Sequence, residues 1–158
     1  MSNTNGFYEC IHHSERLHRL FLDVIKVEME KLDVRDINSV QCLLLYNIGE
    51  DEVTVGELTA RGFYLGSNVT YNAKKLTESN YLMQERSRHD RRSVRVRLST
   101  KGAVLRAQIA AALEFHANNI GEAGITEEDI AALNETMTRF EKNWRLYVER
   151  AGHITTVM

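Results

Sequence analysis

A β-hairpin set between helices constrains this chain more than any other feature. From Tyr81 to Arg86 and from Ser93 to Leu98 the residues alternate in character. Val94, Val96 and Leu98 fall on one face of the second run and Arg95 and Arg97 on the other, the period of two that a strand produces. The loop between the runs, Ser87-Arg-His-Asp-Arg-Arg92, is polar and basic, so the hairpin has an extended tip. On both sides the apolar spacing becomes helical, and Val53 and Val55 flanking Thr54 supply a short extended piece able to pair at a sheet edge. The chain holds no proline, which suits long helices.

The helices have readable ends. Residues 10–32 place Leu17, Leu20, Phe21, Val24, Ile25 and Leu32 at helical spacing. Asp36 is the expected cap of a second helix, 37–48, apolar through Val40, Leu43, Leu44 and Ile48. Thr54-Val-Gly-Glu57 is a capping-box pattern that opens a short helix to Ala60, and Arg61-Gly62 stops it. Ser67 is the next cap expected, for a helix over 67–79 that turns Val69, Ala73 and Leu76 inward. Asn80 closes that helix in the left-handed region. Ser99 caps a fifth helix carrying Leu105, Ile109, Ala112, Leu113, His116 and Ile120, interrupted at 121–124. Thr126, with Asp129 at the third helical position and Ile125 and Ile130 as a staple, starts the last helix. Its stripe is Ile130, Leu133, Met137, Phe140, Trp144 and Tyr147, spaced 3, 4, 3, 4, 3, an a/d seam that points to a helix–helix partner.

This element order describes a mainly α chain with a small β-hairpin wing: a winged helix-turn-helix whose N- and C-terminal helices form a dimerisation domain. The expected winged-helix lobe is 37–103, and 8–36 with 104–158 form the dimerisation region. At 158 residues the chain is long enough to bury a core without disulfides or metals. Its two cysteines, Cys10 and Cys42, have no metal-ligand spacing. No apolar run approaches the roughly 20 residues needed to span a bilayer. The first residues lack the basic and apolar regions of a signal peptide, so a cytoplasmic location and no membrane partner are expected. No nucleophile–base pair, phosphate loop or cofactor motif is present, so neither an enzyme nor a cofactor is expected.

Charge separates one segment from the rest. Residues 66–101 carry nine Lys/Arg against three Asp/Glu, a formal +6, while the whole chain is −2. A basic segment on an acidic protein suits a polyanion, and double-stranded DNA is the partner the topology points to. In a winged helix the helix after the turn enters the major groove. Its outward residues are Ser67, Asn68, Thr70, Tyr71, Lys74 and Lys75: small hydrogen-bonding groups at the N-terminal end for base edges, then cations for phosphates. An ordinary solvated face would carry similar residues, and Tyr71 could instead pack inward. The tip adds Arg88, Asp90, Arg91 and Arg92. An arginine fits the electronegative minor groove, and Asp90 can hold the Arg92 guanidinium by a charge-assisted bond.

The run SNVTYNAKKLTESNYLMQERSRHDRRSVRVRLSTKG resembles the MarR family of bacterial winged-helix transcription regulators, above all in SNVT, KKL and the HDRRSVRVRLSTKG wing with its exit. The Asp-x-Arg wing and the LS-x-x-G helix start carry most of the likeness, which extends more weakly over nearly the whole chain. The resemblance implies an obligate homodimer with interlocked terminal helices, two DNA-binding lobes and a palindromic operator. It also implies a repressor released by a small aromatic or phenolic ligand, or in some members by cysteine oxidation. By this likeness Ser67, Asn68, Thr70, Tyr71 and Lys74 match recognition-helix positions, and Asp90 and Arg92 the wing pair. Asn80 stands where a glycine is usual, and Tyr64 makes the turn between the two helices more aromatic than usual.

Two sensing routes follow. One is a ligand in a crevice with polar contributions from His12, His13, His18 or His116. The other is peroxide sensing through Cys10, expected at the start of the first helix, where free amides and nearby histidines lower a thiol pKa. The adjacent His12-His13 pair points two ways on a helix, and no metal site is expected. A winged helix used only for protein contacts is the alternative outside DNA binding; it would show an apolar patch in place of the basic tip and polar face.

Overall fold

A computed structural model describes residues 4–61, 66–86 and 93–152. Its elements are α1 (Thr4–Lys31), α2 (Ser39–Ile48), β1 (Val53–Thr54), α3 (Val55–Ala60), α4 (Gly66–Glu78), β2 (Leu82–Arg86), β3 (Val94–Leu98), α5 (Thr100–Asn119) and α6 (Glu127–Arg150), with a 3-10 turn at Ile120–Ala123. The chain divides into two units, Met1–Ala112 and Leu113–Met158, with the division inside α5.

In the first unit the three strands form one antiparallel sheet in the order β1-β3-β2. Val53 pairs with Val96, and Leu82 through Arg86 pair with Leu98 back to Val94. The alternation in β3 comes out as expected: Val96 is fully buried while Arg95 and Arg97 are exposed. The sheet and helices enclose a core of Ile25, Leu44, Leu45, Ile48, Val69, Leu76, Val96 and Ile109. Only the C-terminal end of α1, through Ile25, Glu28 and Met29, is buried. α1 ends on Asp33 in the left-handed region (φ 56°), with the Val34 N–H donating to the Met29 carbonyl at 3.0 Å.

Several expected boundaries move. Asp36 does not cap α2. Asn38 does, in a reciprocal capping box with Gln41: the Gln41 N–H donates to Asn38 Oδ1 at 2.8 Å and the Asn38 N–H to Gln41 Oε1 at 3.0 Å. The spacing of three between Asn38 and Gln41 is itself the box pattern. Val55 is the first residue of α3 rather than a strand residue, because the Thr54–Glu57 box begins the helix there. α4 already includes Gly66, so Ser67 lies within its first turn and not at its cap. α1 starts at Thr4, six residues before the stretch read as periodic.

In the second unit, Gly124 in the left-handed region (φ 75°) ends the 3-10 turn. Thr126 and Asp129 form the expected capping box of α6. No residue of α6 is buried: Ile130, Leu133, Met137, Trp144 and Tyr147 are all exposed, and Phe140 is intermediate. Among the described residues no helix is long and apolar enough to cross a membrane.

Candidate nucleic-acid interface

The candidate interface is built on α4, and three sets of contacts hold that helix in place. Val69, Ala73 and Leu76 are buried completely or nearly so against the helices α2 and α3. Beside them Asn72 is a buried polar residue on the same face. Its Oδ1 accepts from Gln41 Nε2 at 3.3 Å. Gln41 therefore both caps α2 and ties α2 to α4, and a buried amide left unpaired would cost about 1–3 kcal/mol. This tie escapes a purely apolar reading of the α4 face; its signal in the sequence is a polar side chain three residues after Val69.

The C-terminus of α4 is fixed to the wing. Asn80 takes the left-handed conformation (φ 62°), and the Tyr81 N–H donates to the Leu76 carbonyl at 2.8 Å. With the Asn80 N–H donating to the Thr77 carbonyl at 3.0 Å, this is a Schellman closure. Asn80 does the conformational work of the usual glycine, because its short polar side chain tolerates that region.

Tyr81 then reaches back to the loop before α2. Its hydroxyl donates to Asp36 Oδ1 at 2.8 Å, and Lys101 Nζ donates to Asp36 Oδ2 at 2.9 Å and to the Ser79 carbonyl at 3.0 Å. The Lys101 ammonium also lies 4.0 Å from the centre of the Tyr81 ring. Asp36 thus clasps the α4–β2 junction and the start of α5. Partial burial pushes its carboxyl up, but hydrogen bonds from Lys101 and Tyr81 outweigh this and hold it below the ordinary value. Burial and the Asp36 carboxylate push the Tyr81 phenol up.

With its inner face held, α4 presents Asn68, Thr70, Tyr71 and Lys74 to solvent, with Lys75 partly covered. Tyr71 is 58% exposed, so it does not pack inward. Lys75 Nζ lies 5.8 Å from the Tyr71 ring centre and 3.1 Å from Glu78 Oε2. Lys74 Nζ is 4.0 Å from the other oxygen of the same carboxylate. On the sheet, Arg95 approaches Glu52 at 3.8 Å and Arg97 approaches Glu85 at 3.7 Å, so both strand arginines have nearby counter-charges.

Comparison with known proteins agrees with this architecture. The MarR family model matches residues 35–93. The exopolysaccharide II synthesis transcriptional activator ExpG of Rhizobium meliloti (strain 1021) is 35% identical over 138 residues, covering 87% of this chain and 71% of that protein. The chain belongs to the MarR family. Like the family as a whole, it is a DNA-binding transcriptional regulator and not an enzyme. Solved structures share the fold. The Streptococcus pneumoniae protein FabT, crystallised with DNA, superposes with a TM-score of 0.64 at 24% identity, over 87% of this chain and 97% of that one. A MarR regulator from Methanosarcina mazei Go1 gives 0.71 at 21% identity, over 87% and 99%.

The LS-x-x-G signature of this MarR chain has a physical basis. The Ser99 hydroxyl accepts from the Gly102 N–H at 3.0 Å, capping α5, and donates to the Asn80 carbonyl at 2.6 Å. A Cβ on Gly102 would collide with the Tyr81 carbonyl oxygen, so only glycine lets α5 approach the wing base this closely. Arg88, Asp90, Arg91 and Arg92, together with Tyr64, lie outside the described residues, and so does the Ser67 side chain.

The thiols differ sharply. Cys42 is fully buried, and burial pushes its pKa up to about 12, which leaves it protonated and unreactive. Cys10 is exposed, but α1 starts at Thr4, so Cys10 is the seventh helical residue, beyond the free amides of the first turn. His12 pairs with Glu15 at 3.5 Å and His13 with Arg16 at 2.9 Å. Among the described residues no three His, Cys, Asp or Glu side chains form a group able to hold a metal.

Proposed function

We propose that this chain acts as a homodimer that reads a palindromic operator, each copy placing α4 in a major groove and the 87–92 tip in the flanking minor groove. The observation that carries this is the outer face of α4: Asn68, Thr70, Tyr71 and Lys74 are exposed on a helix whose inner face is locked by Val69, Asn72, Ala73 and Leu76. Small hydrogen-bonding side chains precede lysines along that face, the order in which base edges and then phosphates are met. The apolar patch expected of a protein-contact module is not what α4 offers. Dimerisation is supported by the exposed seam of α6, with Leu133 48% and Trp144 44% exposed in the single chain. Half-sites then lie about one helical turn apart.

The sign of regulation we infer to be activation, since the relative that aligns over 87% of the chain is named an activator. Repression, which the family resemblance implies, is the second reading. Control by a small aromatic or phenolic ligand rests on that resemblance, and a cytoplasmic site of action follows from DNA binding. Oxidation of the exposed Cys10 is the alternative signal.

Selection of bound fragments from a random DNA pool tests the proposal. Enrichment of a palindrome is expected, with Asn68→Ala and Thr70→Ala changing the enriched bases and Arg92→Glu weakening binding to all of them. An unstructured pool after selection would sink it. Repeating the selection with phenolic ligands and with an organic hydroperoxide identifies the signal, and a reporter fused to the recovered operator gives the sign.

A further inference from the structure

Glu78 sits where the electrostatics of a helix end disfavour an acid. It is the sole acid of the helix and its last residue. A carboxylate at a helix C-terminus opposes the macrodipole. Its pairings with Lys74 and Lys75 run lysine-before-glutamate, the weaker of the two orientations along a helix. Yet the one carboxylate reaches both ammonium groups, Lys75 Nζ at 3.1 Å and Lys74 Nζ at 4.0 Å. All three side chains are substantially exposed, at 73% for Lys74, 45% for Lys75 and 49% for Glu78, so the cluster lies open on the presented face of α4.

We propose that Glu78 is an internal competitor for DNA phosphate, a brake on affinity built into the recognition helix. In the free protein its two oxygens take the place that phosphate oxygens take on DNA. Binding exchanges one anion for the other at Lys74 and Lys75, so part of the electrostatic gain of each contact is offset. Phosphate contacts are made on any sequence, and the brake therefore lowers binding to all DNA and leaves occupancy dependent on the base contacts of Asn68, Thr70 and Tyr71. The hydrogen bond from Lys75 to Glu78 also holds that ammonium more firmly protonated.

This rests on α4 facing DNA, and the test separates the two ideas. Binding of the full chain to an enriched fragment and to a random duplex is measured against salt for the wild type, Glu78→Gln, Lys74→Met/Lys75→Met, and the triple variant. Glu135→Gln on α6 serves as a charge control. Exposed pairs are individually weak, so Glu78→Gln is expected to tighten both duplexes by about two- to ten-fold. It should also steepen the log–log salt slope by up to about one. The gain should vanish in the Lys74→Met/Lys75→Met background, and Glu135→Gln should change nothing. Unchanged or weaker binding by Glu78→Gln overturns the brake, as does a gain confined to the enriched fragment, which would mean that Glu78 reads a base. An equal gain from Glu135→Gln overturns it too, reducing the effect to net charge. If the double lysine variant binds both duplexes like the wild type, it is the placement of α4 on DNA that fails.

Discussion

Gly102 and Asn80 are the two residues on which the wing's attachment turns. Gly102→Ala forces a methyl group into the Tyr81 carbonyl, a backbone atom with little freedom to move because the Ser99 N–H is bonded to it at 3.0 Å. A cost of about 1–3 kcal/mol is expected, despite alanine's better helix propensity, and thermal unfolding measures it. A melting temperature equal to the wild type would mean that α5 stands farther from β2 than described. At Asn80 the relevant strain is backbone. Asn80→Ala should cost ~1 kcal/mol for a left-handed residue without asparagine's local hydrogen bonding, while Asn80→Gly should be tolerated or slightly stabilising. If alanine and glycine behave alike there, the Schellman closure is not what ends α4.

At the scale of elements, three carboxylates tie helix starts and junctions together, and all sit below their ordinary range. The Thr54 backbone N–H and hydroxyl lower Glu57, the Thr126 N–H and hydroxyl lower Asp129, and at Asp36 the Lys101 and Tyr81 hydrogen bonds overcome the opposing effect of burial. In the unfolded chain these groups titrate near about 4. Depressed folded-state values mean that their stabilisation is complete above that pH and is lost as the pH falls through the folded-state values. Stability is therefore expected to be level near neutrality on account of these groups and to fall below about pH 4. Lys101→Met removes a partner of Asp36 and should flatten part of that fall while lowering stability at pH 7. Chemical denaturation across pH checks both; an acid limb identical in Lys101→Met and wild type would remove Asp36 from the account.

For the whole molecule, the exposed seam of α6 is the feature that a single chain leaves unexplained. Leu133→Glu places a charge where the isolated chain is already half exposed, so helicity and the fold of residues 4–112 should be kept. Burying that charge between two copies would be costly, so the wild type is expected to sediment as a dimer and the variant as a monomer that has lost most of its operator affinity. A wild-type chain that is monomeric at micromolar concentration, or a Leu133→Glu chain that is still dimeric, would overturn the seam's role.

The sequence by itself determined the class of fold, the inward face of α4, the left-handed Asn80, two of the three capping boxes among the described residues and the charge division of the chain. Those features arise from short-range periodicity and from residue chemistry at fixed offsets, which a linear reading sees. It placed Asp36 at the wrong task because a cap and a long-range partner look alike in one dimension. Only the tertiary structure brings Asp36 to Tyr81 and Lys101, 45 and 65 positions away, and Gln41 to Asn72 across 31. Only it shows that Gly102 is needed for the approach of α5 to a carbonyl and not for a turn. It also moved Cys10 off the end of α1, since the helix begins where backbone hydrogen bonds begin, ahead of the apolar pattern. Such contacts follow from the packing of distant elements on one core, and no local spacing encodes which distant polar group a side chain will meet.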